Sequence, residues 1–512
     1  MLRPGARTAA RRLHRFLSGA GGDAAPAARS ALAMPTATAY ARPRQRPTMT
    51  AAEFAASYGQ CLSPGQHLEE QHLWQTGRVH RKRQSGGALL FVDLTTGDGG
   101  RVQVKCSRAH LGDGAFDAAL RSTPGDYVAV QGFPSSSLGT GQLLLCAHDL
   151  YVTAPCRKPI PPALASPEAR QRQRHLDLLV NRDTVRRFRQ RAAVVSCIRA
   201  FLDDRGFLEV ETPVLWSTAG GANARPFETR GVALASALEL RVAPELFLKQ
   251  LIVGGLDRVY EIGKVFRNEG MDRTHHPEFT SCEFYMADAN YEDLMPMTEA
   301  LLAAVSSSLG SDAQVAFAGP FERLDVVGTI EKQLNLQPRS VLAILEEPDE
   351  SKRQAALLDI ASGAHLQIPA APSSASLLEA MIAQRVEPLC VSPTFLVNHP
   401  TLLCPLAKQS NDNGVLADRF ELFVKGQELC NAYSELADPD EQRRRFKEQE
   451  RLGGRATPEI AASQAEYCDC LEYGLPPTAG WGMGIDRLVM LLTGADHIRD
   501  VVLFPALRAP HR

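Results

Sequence analysis

Arg267-Asn268-Glu269-Gly270, a short loop, and then His275-His276-Pro277-Glu278-Phe279-Thr280-Ser281-Cys282-Glu283-Phe284-Tyr285 bring an anion binder, a stacking aromatic and carboxylates into one stretch of chain. Upstream, residues 259–266 alternate as a strand does, and residues 279–286 read as a second strand. Gly270 and Pro277 mark the loop between them. Side chains on a strand repeat with period two, so Phe279, Ser281, Glu283 and Tyr285 share one face of this hairpin. A flat ring, polar groups and an acid on one sheet face make a pocket floor, suited to nucleotide chemistry beside a cationic substrate.

A second hairpin lies far downstream, residues 419–424, a Lys425-Gly426 turn and residues 427–431. Pairing across a two-residue turn sets Val424 opposite Gln427 and Phe423 opposite Glu428, so Glu421 and Glu428 become diagonal neighbours on one face. Two like charges there destabilise the sheet unless a cation sits between them, and magnesium is the expected one. Asn431, Tyr433 and Glu435 form another period-two set, which reaches the same pocket only if a bulge follows Glu428. With Glu245, Glu283 and Tyr285 they would surround one acid-rich cavity, which expects a dication or an amine. Arg267, His275 and Arg487 supply separated cationic or donor groups able to straddle a triphosphate. Gly482 and Gly484, ahead of a helix opened by Asp486 and Arg487, suit a backbone approached closely by a ligand.

The rest of the 512-residue chain has globular proportions, 44% hydrophobic and 22% charged, and no apolar run approaches the roughly 20 residues that cross a bilayer. Eleven scattered cysteines without paired metal spacing read as reduced thiols. The first 48 residues stand apart, with nine arginines against Asp23 alone, which is organelle transit-peptide composition; a basic nucleic-acid-binding arm is the alternative. This leader points to a mitochondrion or plastid, and starts at Met34 or Met49 would give a cytoplasmic form. Without it the formal charge falls from −2 to about −10, so any bound polyanion must meet a local basic patch.

Between residues 74 and 153, five or six short alternating segments separated by Gly, Ser and Asp turns predict a small barrel within residues 49–157. A proline-rich connection leads through a linker at 158–178 into a second domain, 179–512. It begins with a helix whose Val194, Ile198 and Phe201 recur at helical spacing, followed by a strand and Pro213. Residues from about 291 to 387 read as a helical insertion, and the overall class is α+β.

Residues 201–215, 258–286 and 480–504 resemble the three motifs of class II aminoacyl-tRNA synthetases, and the similarity, from about residue 55 to 508, is closest to the lysyl-tRNA synthetases. The resemblance implies an OB-fold anticodon-binding barrel, then a catalytic domain with an antiparallel sheet flanked by helices, in a homodimer formed through the first motif. It implies ATP-dependent activation of L-lysine and transfer to the 3′ end of its tRNA, with Mg2+ as cofactor. Arg267 would then hold the α-phosphate and the substrate carboxylate, Glu269 and Phe279 would contact adenine, and Arg487 would stack on its other face; Arg267 and Arg487 are the catalytic candidates. His275 would join the ATP site, and Glu421 and Glu428 would bind magnesium. Gly221 and Glu245 would meet the lysine α-amino group, Asn431 its carboxylate, and Glu283, Tyr285 and Glu435 its ε-ammonium. On the barrel, Phe91 is the stacking candidate and Arg78 and Gln103 the hydrogen-bonding candidates for anticodon bases.

Three features depart from that family pattern: His276 replaces the usual Asn, residues 231–238 are unusually apolar, and the linker before Arg170 is short. Two other readings stay open at this point. An aspartyl- or asparaginyl-type enzyme shares the architecture, although Glu283 and Glu435 would repel an aspartate side chain. A catalytically inactive RNA-binding paralogue would have no need of an intact ATP site.

Overall fold

A computed structural model describes residues 45–508 except 219, 223, 234–235 and 452–456. The leader reading of residues 1–48 therefore falls, up to residue 44, outside the described residues, as does part of the apolar stretch 231–238. The chain forms two compact units, one ending at Pro162 and the other starting at Ala163.

In the first unit, the helix Ala51–Tyr58 is capped at Thr50, whose side chain and that of Glu53 satisfy each other's backbone N–H groups. Five strands follow: β1 Leu73–Ser85, β2 Leu89–Thr96, β3 Arg101–Ser107, β4 Tyr127–Ser136 and β5 Leu143–Ala154, with the helix Arg108–Arg121 between β3 and β4. They close into a barrel in the order β1-β2-β3-β5-β4. Period two decides what fills it: Leu90, Val92 and Leu94 of β2 are buried inside, while Leu89, Phe91 and Asp93 face outward.

The second unit contains β6 Leu208–Glu209, β7 Leu215–Trp216, β8 Glu228–Gly231, β9 Ser236–Leu240, β10 Arg258–Phe266, β11 Glu278–Ala287, β12 Glu322–Asp325, β13 Thr394–Val397, β14 Arg419–Val424, β15 Gln427–Ser434 and β16 Thr478–Gly484. Eight of them form one sheet, ordered β12-β13-β14-β15-β16-β11-β10-β6, and β7-β9-β8 form a small second sheet. The large sheet is antiparallel through its centre, with parallel pairs only at its two ends.

One face of this sheet carries the core. Cys282 and Phe284 of β11, Cys430 and Ala432 of β15, and Trp481 and Met483 of β16 pack with Val194, Ile198 and Phe201 of the helix Arg182–Asp203 and with the helices Tyr291–Leu309 and Ile485–Thr493. Trp481 stacks on Phe284, ring centroids 4.8 Å apart, and its indole N–H donates to Thr298 Oγ1 at 3.0 Å. The alternate residues of the same three strands are therefore committed to the opposite face.

Two sequence expectations change. The glycines before Asp486 belong to a central strand, β16, which runs directly into the helix at Ile485. Gly480, Gly482 and Gly484 alternate with Ala479, Trp481 and Met483, a period-two signal that the poor strand propensity of glycine obscures. The stretch expected as an insertion from residue 291 also divides. Leu294, Met295, Leu301, Leu302 and Val305 belong to the main core and β12 extends the large sheet, whereas the helices from Val326 onward enclose a separate small core. Helical spacing reports that a face is buried, not which core receives it.

Candidate active site

The face of the large sheet opposite the core floors a cavity of about 530 Å³. Phe279, Ser281, Glu283 and Tyr285 of β11 all line it, as their shared face requires. β14 and β15 pair with Val424 opposite Gln427 and Phe423 opposite Glu428. The register then slips, so that Leu422 faces Cys430 and Glu421 faces Asn431. That bulge at Leu429 is the bend on which Asn431 and Tyr433 depended, and both line the cavity together with Glu428. β16 crosses the floor with Gly480 and Gly482, and the missing side chains make the room. A Cβ on Gly480 would lie 2.2 Å from Glu435 Oε1 and 2.5 Å from the Tyr285 ring, and one on Gly482 would lie 3.3 Å from Glu283 Cγ. Gly221 also lines the cavity at φ +89°, where a Cβ would press on Glu245 and Ala243.

One end of the cavity is cationic. The Arg267 guanidinium lies 5.2 Å from the centre of the Phe279 ring, and its Nε is buried without an acceptor among the described residues. A buried donor left unpaired is costly, so this one expects a ligand oxygen. Arg487 donates from Nη1 to the Glu428 carbonyl at 2.9 Å and to Glu428 Oε2 at 3.2 Å, and from Nη2 to His275 Nε2 at 2.9 Å. The His275 proton accordingly sits on Nδ1, facing Asp272 Oδ2 at 2.8 Å. Asp486, fully buried, anchors both sides: it accepts from Arg191 at 2.6 Å and from the Thr280 N–H at 2.7 Å. Glu269 lines the same end and accepts from the Arg225 N–H at 3.4 Å.

The other end is acidic. Burial pushes the Glu283 carboxyl up to about 8, the charge of Glu245 adds to the shift, and Arg267 opposes it. Glu245 Oε1 accepts from the Tyr433 hydroxyl at 2.5 Å and from Lys249 Nζ at 2.8 Å. Lys249, missed in the sequence, also donates to Glu435 Oε2 at 2.7 Å. Burial alone would pull its ammonium down; Glu245 and Glu435 more than offset that and hold it well above the usual lysine range. The Glu245–Lys249 spacing of four on one helix was a readable signal. Glu435 differs from its expected place. It lies beneath the floor rather than on the lining, with one oxygen given to Lys249 and Oε1 buried without a partner among the described residues.

Glu421 likewise stands off the cavity lining, because the Arg419 guanidinium and His399 Nε2 bind its carboxylate and, against burial, hold it down to about 2. Glu428 lines the cavity, and the neighbouring Glu387 carboxyl is pushed up by burial and by the charges of Glu421 and Glu428. The local field is thus negative and suits a hard dication that takes one or two carboxylates and completes its shell with phosphate oxygens. No group of three His, Cys, Asp or Glu side chains among the described residues is set to hold a metal alone. His276, the departure from the family pattern, spends its ring on backbone: Nδ1 donates to the Glu278 carbonyl at 2.5 Å, and Nε2 accepts from Ala506 N–H at 2.9 Å. It ties the hairpin to the carboxy-terminal tail. Ser463 and Gln464, from the helix Pro458–Leu471, also line the cavity without having been read from the sequence.

On the barrel, Phe91 faces outward rather than into the core, with the Arg83 guanidinium 4.9 Å from its ring centre. Strand pairing places Phe91 beside Arg83 and Lys105, and Asp93 beside Gln103, whose amide donates to Asp93 Oδ1 at 2.7 Å. Arg78 donates to the Gly125 carbonyl at 2.9 Å. An aromatic ring, an amide and several cations therefore share the outer surface of β1-β2-β3.

The central antiparallel sheet and the cavity it floors lie within a class II synthetase domain, as the family match shows. Residues 166–508 match the family of tRNA synthetases class II (D, K and N), and residues 74–154 match the OB-fold nucleic acid binding domain. The chain is 42% identical over 460 residues to a protein of Encephalitozoon cuniculi named "Probable lysine--tRNA ligase, cytoplasmic", covering 86% of this chain and 89% of that one. It is 42% identical over 442 residues to the lysine–tRNA ligase of Aliivibrio fischeri (84% and 86% covered) and 40% over 468 residues to that of Shewanella denitrificans (90% and 91%). The chain belongs to the lysine–tRNA ligase family of class II tRNA synthetases.

Gly480→Ala should raise the KM for the amino acid at least tenfold while leaving ATP affinity within twofold, because the new methyl displaces Glu435 and Tyr285. Separate titrations of the two substrates check this; an equal loss for both would mean a general collapse of the floor.

Proposed function

We propose that this protein joins L-lysine to tRNA in two steps on the sheet floor, and the observation that carries the reading is the convergence of both ends in one cavity. Lysine lies with its carboxylate toward Arg267 and Asn431 and its side chain toward Glu283 and Tyr285, with Glu435 beneath. ATP lies with adenine against Phe279 and Glu269, and its phosphates between Arg267, His275 and Arg487. The lysine carboxylate attacks the α-phosphorus in line, pyrophosphate leaves, and the lysyl group passes from the adenylate to the 3′ end of the tRNA. This chemistry needs positioning and charge neutralisation rather than a protein nucleophile. When bound, Mg2+ held by Glu428, with the charge of Glu421 behind the lining adding to the field, would neutralise phosphate charge. The unpaired Arg267 Nε and the aromatic face of Phe279 support the nucleotide placement.

Lysine-dependent ATP–pyrophosphate exchange tests the reading, and exchange with aspartate but not lysine would overturn it. Glu283→Gln should abolish lysine activation while ATP still binds. The free Glu283 carboxyl, at about 8, is largely protonated at neutral pH and must ionise to meet an ammonium. Lysine binding should release a proton below about pH 8, and affinity should climb with pH and level off above that value. Calorimetry in buffers of different ionisation heat measures this, and a flat profile would remove Glu283 from the pocket.

We assign the outer face of β1-β2-β3 to the tRNA anticodon, on the support of Phe91 and its cationic neighbours. Phe91→Ala should weaken tRNA binding by about 1–3 kcal/mol, the worth of one stacked base. Pyrophosphate exchange should be unchanged; unaltered tRNA affinity would displace Phe91 from the interface.

A second copy of the chain is the assigned partner for the first motif, where Leu208, Val214, Leu215 and Trp216 are 52%, 40%, 46% and 39% exposed and β6 is an open sheet edge. Sedimentation should give a dimer that Trp216→Glu dissociates; a wild-type monomer at micromolar concentration would refute the assignment.

A further inference from the structure

The placement of substrates above leaves one buried charge unused. The Lys249 side chain is fully enclosed, bridging Glu245 Oε1 and Glu435 Oε2 with the Tyr467 ring 5.4 Å from its nitrogen. Glu435 lies 186 positions further along the chain, so this contact is made only by folding. Lys249 is absent from the cavity lining, so it reaches the substrate only through the two acids it holds. Its hydrogen bond takes Oε2 of Glu435 and leaves Oε1 without a partner among the described residues, beside Gly480, which does line the cavity.

The charges at this end can be counted. Once Glu283 ionises against a bound ammonium, Glu245, Glu283 and Glu435 bring three negative charges and Lys249 one positive, leaving two. A free lysine brings two ammonium groups, while its carboxylate meets Arg267. We propose that Lys249 is a positioning residue for amino-acid selection, holding Glu245 and Glu435 as one cluster and setting the residual charge of the cavity to match an amino acid with two ammonium groups. This rests on the lysine placement above. An amino acid with a neutral side chain leaves one acid of the cavity uncompensated, and one with an acidic side chain adds a further negative charge.

The count yields a test that a merely structural lysine would fail. Lys249→Met removes the positive charge at similar length and leaves three uncompensated acids; Glu435→Gln leaves one. The double change restores two. Lysine KM in pyrophosphate exchange should rise at least tenfold in each single variant, and the double variant should bind lysine at least threefold more tightly than Glu435→Gln alone. ATP affinity, measured by calorimetry without lysine, should stay within twofold throughout. A double variant equal to or weaker than Glu435→Gln overturns the proposal, and this comparison stands even where Lys249→Met alone fails to fold. Unchanged lysine KM in a folded Lys249→Met also overturns it. Failure of the underlying lysine placement shows separately, as wild-type protein that gives no lysine-dependent exchange.

Discussion

Three carboxylates buried at one end of a cavity are the constraint around which the catalytic unit is arranged. A buried acid without a partner costs several kcal/mol, and here Glu245, Glu283 and Glu435 come from a helix, a central strand and the loop after β15. Lys249 binds the first and last to each other, Tyr433 of β15 supports Glu245, and burial, with the charge of Glu245, keeps Glu283 protonated at neutral pH. This end of the pocket is thus held together by its own ammonium, and the raised Glu283 carboxyl is the group a cation would ionise. A substrate amine would supply that cation.

The two ends of the cavity are kept in register by three groups of its lining that tie separate elements together. Asp486 links the helix Arg182–Asp203 to the start of β11 through Arg191 and Thr280. His276 links the same hairpin to the tail at Ala506. Arg419 holds Asn431 and Glu421 together, joining the amino-acid end to the acids on the nucleotide side. The Asp486 and His276 links span segments far apart in sequence, so the positions of Arg267, Phe279 and Glu283 depend on the whole unit rather than on their own hairpin.

Strand periodicity made the cavity face of β11 legible, because Phe279, Ser281, Glu283 and Tyr285 can share a face in only one way. The barrel was readable for the same reason, and the two-residue turn at Lys425-Gly426 set the pairing of Glu428 with Phe423. β16 was hard to read, since glycine disfavours strands and masks the alternation of Trp481 and Met483, yet its lack of side chains is what opens the floor. His276 stood out in the sequence as a departure, and its partners emerged only when the hairpin met the tail.

The sequence by itself determined which residues lie on which face of each hairpin, since that depends on a fixed local geometry and on turn length. It also specified the chemical character of the two ends. Tertiary structure alone decided the bulge at Leu429, the retreat of Glu435 and Glu421 behind the lining, and the capture of both acids by Lys249 and Arg419. The Lys249–Glu435 pairing joins residues 186 positions apart and leaves no periodic trace along the chain, while Arg419 and Glu421, two apart on β14, meet because burial around them rewards pairing.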